Sequence, residues 1–393
     1  MFKNTILVFY KLISLRLKKK QPKNILLVAE YIRSGGTRTY FISLLQFLKK
    51  QNYDVTVLMN NHKDDFEIDD LIKSLGYKTL SCSFDFWCID FEKIHPGLTI
   101  KKLINYQLKE MLFWCNILEK NNFSGIIFSV GYPEQYLYAF LLPVTVRYIL
   151  HTQPVKRADK YKRWILANML NHRKQIITVS KSSKKTIEMY WLQSKSSKYV
   201  NVVYNYYKPK FKNVYAENAS GINRILTIGA VEDYKNPFFF IECAKQIIID
   251  KKETAIEFIW AGDGSLLQEC RDWVKNYPQI QFVGNKENVE ELYATSTIYF
   301  QPSLQESHGI AVLGAMYHKL PCIVTDKGGL KESVMDGLTG FVTQIANTNT
   351  AIEKINTLLH DEKLSREMGI NGFKYYTEKF TEQAWINSMI NFI

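Results

Sequence analysis

The chain has 393 residues, enough for about two domains, and a hydrophobic content of 46%, which excludes an intrinsically disordered protein. Its formal net charge of +13 is uneven, because residues 1–205 contain 32 basic and 15 acidic residues and the remainder is slightly acidic. The basic half can attract a membrane surface, nucleic acid or a phosphorylated substrate.

The first 20 residues mix apolar and basic side chains. Basic residues interrupt the apolar ones, so no run approaches the roughly 20 residues of a membrane-spanning helix. No small-residue cleavage site follows, so we do not expect a signal peptide. The pattern favours a basic amphipathic helix on an anionic membrane surface. A helix packed on the first domain and a frayed end are the alternatives.

From residue 24 the first half alternates apolar runs with helical periods. Continuous apolar runs predict strands of a sheet covered on both faces, at Asn24–Ala29, Val55–Met59, Gly125–Val130 and Tyr148–Leu150. Helical periods lie at residues 37–50, 66–75 and 100–120. The loop before the first of these contains Gly35 and Gly36, where backbone N–H groups can meet a phosphate or a sugar. A plain tight turn explains the two glycines equally well.

His151 directly follows a predicted strand, at the sheet edge where open α/β sheets bind ligands. A lone histidine is more often structural.

The six cysteines form no C-x-x-C pair and have no histidine at zinc-ligand spacing. We therefore expect buried free thiols and a reducing cytosol. The cysteines are Cys82, Cys88, Cys115, Cys243, Cys270 and Cys322.

A dense basic stretch runs from Lys156 to Lys185. Ten lysines and arginines are opposed by Asp159 alone and are interleaved with apolar residues such as Trp164 and Leu170. A solvated helix face explains such a stretch. The functional alternative is a surface that faces anionic lipid or a lipid pyrophosphate.

The second half begins after a segment without clear period, residues 206–221, which we interpret as a linker. Strands are predicted at Arg224–Ile228, Ile256–Trp260 and Ile280–Val283. Lys235 follows the first of these, and lysine is a point-charge binder of phosphate, although an exposed lysine needs no ligand.

The stretch from Tyr299 to Val342 reads as strand, polar loop, helix, strand and glycine turn. A helix that begins at Gly309 directs free N–H groups and a positive dipole end at the loop, which favours a phosphate by about 0.3–1 kcal/mol. The Glu306 carboxylate cannot bind that phosphate, because like charges repel. It would instead accept hydrogen bonds from hydroxyls of the group attached to the phosphate. An ordinary strand–helix unit with an exposed glutamate is the alternative.

This stretch resembles the donor-binding core of retaining glycosyltransferases of family 4. The family pattern is P-S-x-x-E-x-F-G, a second Glu eight residues after the first, G-x-P-V, and G-G-x-x-E. The matching positions here are Pro302, Ser303, Glu306, Gly309, Pro321, Gly328, Gly329 and Glu332. Two positions of this stretch depart from the family, because His308 replaces Phe and Gly314 replaces the second Glu. Outside it, Tyr206 replaces the usual Gly, and Ala230 replaces an Arg before Lys235.

The resemblance implies two Rossmann-like α/β domains facing a cleft, the glycosyltransferase B (GT-B) architecture. We predict a basic amphipathic segment at 1–20, an acceptor-side domain at 21–205, the linker at 206–221, and a nucleotide-sugar-binding domain at 222–375. A C-terminal helix at 376–393 would cross back to the first domain.

The resemblance also implies the site residues. Glu306 would hold hydroxyls of the transferred sugar, and His151 would lie near its reacting carbon. The donor-binding residues implied are Gly36, Lys235, Gly262, Val283, Ser307, His308, Gly309, Ile310 and Gly314. No D-x-D motif is present, so we expect no metal and no cofactor, with Lys235 and the helix start stabilising the leaving diphosphate.

The predicted function is transfer of a sugar, with retention, from a nucleotide-sugar donor to a glycan acceptor that is lipid-linked or an oligosaccharide. This places the protein in surface-polysaccharide synthesis, in the cytoplasm at the inner face of the cell membrane, with no nucleic-acid partner. The alternatives are an inactive family member that binds another transferase, and a soluble transferase that acts on a protein or a metabolite. A nicotinamide dehydrogenase is disfavoured because G-x-G-x-x-G is absent.

Gly314 affects which nucleotide the donor is expected to carry. In the resembled family the second Glu grips the ribose hydroxyls, and glycine has no side chain to do so. Three alternatives follow: a dTDP-sugar donor that lacks the 2′-hydroxyl, a ribose held by another group such as Glu332, or an inactive protein.

Overall fold

The computed structural model describes residues 2–29, 35–60, 66–82, 100–130, 139, 141–154, 160–192, 194–210, 221–251, 255–344 and 347–393. The chain divides into two compact units. The first contains Met1–Thr178, Lys184–Val202 and Phe392–Ile393, and the second contains Val179–Ser183 and Val203–Asn391.

The first unit is built on a parallel sheet. Its strands are β1 (Asn24–Ala29), β2 (Asp54–Asn60), β3 (Lys78–Cys82), β4 (Gly125–Val130), β5 (Thr145–Leu150), β6 (Lys174–Thr178) and β7 (Val200–Val202), in the order β3-β2-β1-β4-β5-β6-β7. Its helices are α1 (Phe2–Leu17), α2 (Gly35–Lys50), α3 (Phe66–Ser74), α4 (Ile100–Asn121), α5 (Lys160–Met169) and α6 (Lys181–Tyr190), of which α6 begins in residues assigned to the second unit. Every residue of β1 is buried, as its apolar sequence predicts.

Aromatic residues fill the core of the first unit. Phe128 of β4 and Tyr148 of β5 are register partners whose rings stack at 4.7 Å, and Trp114 of α4 meets Phe128 edge to face. Aromatic pairs of this kind add about 0.5–1.5 kcal/mol to the burial of their surface.

The second unit has its own parallel sheet. The strands are β8 (Asn223–Ile228), β9 (Ile256–Ala261), β10 (Ile280–Gly284), β11 (Ile298–Gln301), β12 (Cys322–Thr325) and β13 (Gly340–Thr343), in the order β10-β9-β8-β11-β12-β13. The helices are α7 (Pro237–Lys251), α8 (Leu267–Trp273), α9 (Val289–Ala294), α10 (Ile310–Tyr317), α11 (Leu330–Ser333), α12 (Thr348–His360), α13 (Glu362–Lys379) and α14 (Glu382–Met389). This is the doubly wound order of dinucleotide-binding folds, in which ligands bind where the strand order reverses. Here the reversal lies between β8 and β11.

The predicted fold class, α/β with two Rossmann-like domains, is confirmed. The end of the chain differs in detail, because the predicted boundary at residue 376 lies inside α13. A separate helix, α14, follows, and the Thr381 side chain accepts a hydrogen bond from the Ala384 N–H at its start. A Thr cap of this kind begins a new helix.

Four cysteines, Cys115, Cys243, Cys270 and Cys322, are buried free thiols, as predicted. Cys88 and residues 155–159 of the basic stretch lie outside the described residues. In the part of the chain that the structure describes, no helix combines the length and the apolar character needed to cross a bilayer.

Candidate functional site

Lys235 and Glu306 meet at the reversal point of the second sheet. Lys235 closes a short 3₁₀ turn after β8, and Glu306 lies in the loop after β11, the strand that pairs with β8. Their side chains form an ion pair and are only 14% and 15% exposed. An ammonium group has three N–H donors, so the contact with Glu306 leaves it able to bind a phosphate oxygen. The structure thus brings two predicted site residues together.

The loop that carries Glu306 is fixed by its backbone carbonyls. The Ser303 carbonyl accepts from the Thr325 hydroxyl at 2.6 Å, the Glu306 carbonyl from the Gly329 N–H at 3.0 Å, and the His308 carbonyl from the Ser333 hydroxyl at 3.0 Å. The Tyr234 carbonyl also accepts the N–H groups of residues 304 and 305. The end of β12, the segment that follows it and the turn after β8 therefore hold this loop in place.

Helix α10 begins directly beside Glu306. Gly309 precedes it with φ +85°, and a Cβ there would lie 2.9 Å from a methyl of Leu330. Only glycine adopts this conformation without strain in so little space. The first N–H groups of α10 have no acceptor within the helix, so this end, with Ser307 and Ile310 half-buried beside it, suits an anion.

Gly262 lets two loops of the second unit approach each other. A Cβ at Gly262 would lie 2.0 Å from the Gly229 carbonyl oxygen, and the Gly262 N–H donates to the Gly284 carbonyl at 2.9 Å. The loops after β8, β9 and β10 therefore converge. Val283, at the end of β10, is half-buried at this convergence. Its predicted contact with a nucleotide base stays a prediction.

The side chain of His308 points into the protein, unlike a group that binds donor. It is 1% exposed, stacks on Tyr204 at 5.1 Å and meets Phe380 edge to face, and neither ring nitrogen has a hydrogen-bond partner. Burial lowers its pKa to about 3. Aromatic side chains enclose the His308 ring, so only the backbone of this residue can contact a sugar-nucleotide donor.

Gly314 is also buried, and it faces Tyr293 of α9. A Cβ at Gly314 would lie 2.7 Å from the Tyr293 hydroxyl oxygen, and that hydroxyl donates to the Ala311 carbonyl at 2.8 Å. Tyr293 is itself 1% exposed. Position 314 therefore faces a buried ring instead of an open pocket, which differs from the predicted ribose contact.

The carboxylate of Glu332 accepts hydrogen bonds from other groups of the protein. Its carboxylate accepts the N–H groups of Lys181 and Ser182 at 2.8 and 2.7 Å and the Tyr204 hydroxyl at 2.9 Å. A carboxylate at the first N–H groups of a helix stabilises that helix. Glu332 thus caps the start of α6, which argues against its alternative role as a ribose ligand.

His151 belongs to the first unit, directly after β5. Its Nε2 lies 3.1 Å from the Ser129 hydroxyl of β4, and its ring meets Tyr40 of α2 at 4.3 Å. Burial lowers the pKa of His151 to about 4, so the ring is neutral at pH 7. Gly36, the second residue of α2, is exposed in the same unit. The predicted roles of both residues stay predictions.

Residues 211–375 match the family model described as glycosyl transferases group 1. The second unit belongs to this family. The resemblance predicted from the sequence is therefore confirmed for this unit. The matched range contains the residues that build the site: Lys235 after β8, Glu306 after β11 and the glycine start of α10.

Curated relatives match part of this chain over part of their own length. N-acetyl-alpha-D-glucosaminyl L-malate synthase of Bacillus anthracis is 32% identical over 138 residues, 34% of this chain and 36% of that protein. UDP-Gal:alpha-D-GlcNAc-diphosphoundecaprenol alpha-1,3-galactosyltransferase of Escherichia coli is 26% identical over 159 residues, 37% of this chain and 40% of that protein. The match thus spans less than half of either relative.

The likeness to solved structures extends over both units. HepE from Anabaena, in complex with UDP and glucose, superimposes with a TM-score of 0.70 over 93% of this chain and 98% of that chain, at 14% sequence identity. At this identity the comparison shows the fold, which is GT-B.

Three residues that touch site residues escaped the sequence analysis. Tyr293 fills the space beside Gly314, Tyr204 stacks on His308, and Ser129 contacts His151. Ser129 carried a signal, because it is a polar side chain within the apolar strand Gly125–Val130. The two tyrosines lie in stretches whose patterns say nothing about the group 1 loop they contact.

Proposed function

We propose that the protein is a glycosyltransferase that moves a sugar from a nucleotide-sugar donor to a glycan acceptor. The observation that carries this proposal is the Lys235–Glu306 ion pair at the reversal point of the second sheet, next to the start of α10. Group 1 membership of the unit and the GT-B fold of the chain support it.

The site residues divide the reaction between them. Lys235 and the N–H groups at the start of α10 stabilise the diphosphate as the bond between it and the anomeric carbon breaks. Glu306 accepts hydrogen bonds from sugar hydroxyls. The acceptor hydroxyl forms the new bond to the same carbon, and its proton passes to the departing diphosphate. Configuration is retained, and no metal is needed because protein groups carry the positive charge.

A lipid-linked acceptor at an anionic membrane completes the proposal. The E. coli relative is named for an acceptor linked to diphosphoundecaprenol. The basic first half of this chain suits a pyrophosphate-bearing lipid at the inner face of a cell membrane. A surface-polysaccharide intermediate is such an acceptor.

Nucleotide binding tests the donor half of the proposal. We expect UDP, GDP or dTDP to bind with a stoichiometry of one in the presence of EDTA, as measured by calorimetry. UDP is favoured by the names of the E. coli relative and of the HepE complex. The metal-free proposal fails if binding appears only after Mn²⁺ is added.

A further inference from the structure

Helix α1 has two apolar stripes, and one of them packs on the first unit. Val8 and Leu15 are 6% and 3% exposed and share a core cluster with residues of α4. Lys11 forms an ion pair with Glu119 of α4, and the Lys18 ammonium donates to the Glu119 carbonyl. These contacts fix how α1 is rotated on the unit.

The second stripe of α1 faces solvent. We call it the outer stripe, and its members are Ile6, Phe9, Tyr10, Ile13 and Leu17. They are 55–82% exposed. The adjacent Phe9 and Tyr10 each lie three or four residues from Ile6 and from Ile13, and Leu17 lies four beyond Ile13, so the five share one helix face. Elsewhere in the described chain, the large exposed apolar side chains, such as Trp164 and Trp273, are far apart in the sequence. A contiguous apolar stripe on a basic unit indicates an interaction surface.

Cations gather where α1 ends. Arg16 is on its last turn, the Lys20 ammonium donates to the Pro143 carbonyl just before β5, and Arg173 and Lys174 lie at the start of β6, the strand beside β5. We call these four residues the basic cluster. Burial, followed by the charges of Arg173, Arg16 and Lys20, lowers the pKa of Lys174 to about 8, consistent with their proximity.

We propose that the outer stripe inserts into the interfacial layer of a bilayer while the basic cluster contacts acidic lipid headgroups. A helix with aromatic and aliphatic side chains on one face and cations beside it suits this position. A second copy of the chain fits less well, because it would bring two basic clusters together. The inference rests on the proposed function only in that a lipid-linked acceptor requires a membrane.

Vesicle binding by the full chain tests the inference. Vesicles of phosphatidylcholine with 30% phosphatidylglycerol should retain the protein at low salt, and pure phosphatidylcholine should retain much less. Phe9→Ser with Ile13→Ser should weaken binding by at least about 10-fold, because buried apolar area is lost. Arg16→Gln with Arg173→Gln, both exposed members of the basic cluster, should weaken it by roughly 10- to 30-fold, at about fivefold per cation.

The matched control changes two exposed apolar residues of the second unit. Ile249→Ser with Trp273→Ser, at positions 60% and 56% exposed, should leave binding unchanged. Equal binding by the control and the outer-stripe variant would overturn the inference. So would a dimer in light scattering that the outer-stripe variant abolishes. Nucleotide binding, measured on the same samples, separates the two proposals. A protein that binds vesicles but no nucleotide would count against the proposed glycosyltransferase function and not against the membrane surface.

Discussion

Lys235→Ala is expected to lower the affinity for a nucleoside diphosphate by about 10- to 100-fold, because a hydrogen bond to a charged group contributes about 1.5–3 kcal/mol. The ammonium lies at the reversal point of the second sheet, where it is 14% exposed. An ion pair this shielded from water is stronger than one on the surface. Calorimetry with the nucleotide that binds the unmodified protein measures the change.

The control for Lys235→Ala is Lys208→Ala. Lys208 pairs with Glu382 at 2.8 Å in the same unit, but its side chain is 54% exposed. We expect its loss to change nucleotide affinity by less than about twofold, since exposed pairs contribute little. If the two variants bind equally well, Lys235 does not contact the phosphates.

His308→Phe is expected to stabilise the protein by about 1–3 kcal/mol at pH 7, because it removes two buried ring nitrogens without partners. The advantage should grow as the pH falls. The pKa of His308 is about 3 in the folded chain and ordinary, near 6.5, in the unfolded chain. Below pH 6.5 protons therefore bind the unfolded state preferentially, and the unmodified protein loses up to about 1.4 kcal/mol per pH unit.

Urea unfolding at pH 7, 5.5 and 4 measures this effect. His360→Gln, which removes an exposed histidine at the end of α12, is the control and should follow the unmodified protein at each pH. If the stability difference between His308→Phe and the unmodified protein stays constant with pH, the neutral, buried state of His308 is contradicted.

The central part of the site could be predicted from the sequence, because its residues follow recognisable strands. Apolar runs located β8 and β11 to within one residue, and Lys235 and Glu306 both follow such runs. Neighbouring parallel strands end at the same sheet edge, which explains why the two side chains meet in an ion pair.

The surroundings of Gly314 and His308 could not be predicted in the same way. Tyr293 reaches Gly314 from α9, and Tyr204 reaches His308 from the segment after β7. Such contacts depend on how side chains from distant parts of the chain fill one core, which periodicity does not encode. A family pattern names the position of a missing carboxylate but says nothing about the ring that occupies its space.

Helix α1 shows the same limit. The sequence favoured an amphipathic helix on a membrane and left packing on the domain as the alternative. The structure has an inner stripe with Val8 and Leu15 buried and an outer stripe exposed. Packing on the domain therefore holds for the inner stripe, and membrane contact by the outer stripe stays a prediction. Only the rotation of α1 on α4 assigns the residues to the two stripes.

Turnover tests the central claim most directly. The protein is incubated with UDP-, GDP- and dTDP-sugars and a lipid-linked glycan in EDTA, and release of the nucleoside diphosphate is followed together with the glycosylated product. We expect release from one donor class without added metal. Glu306→Gln should lower that release by about 100-fold or more, the scale of losing one transition-state hydrogen-bond partner. Release that requires Mn²⁺, or that is unchanged in Glu306→Gln, would contradict the account.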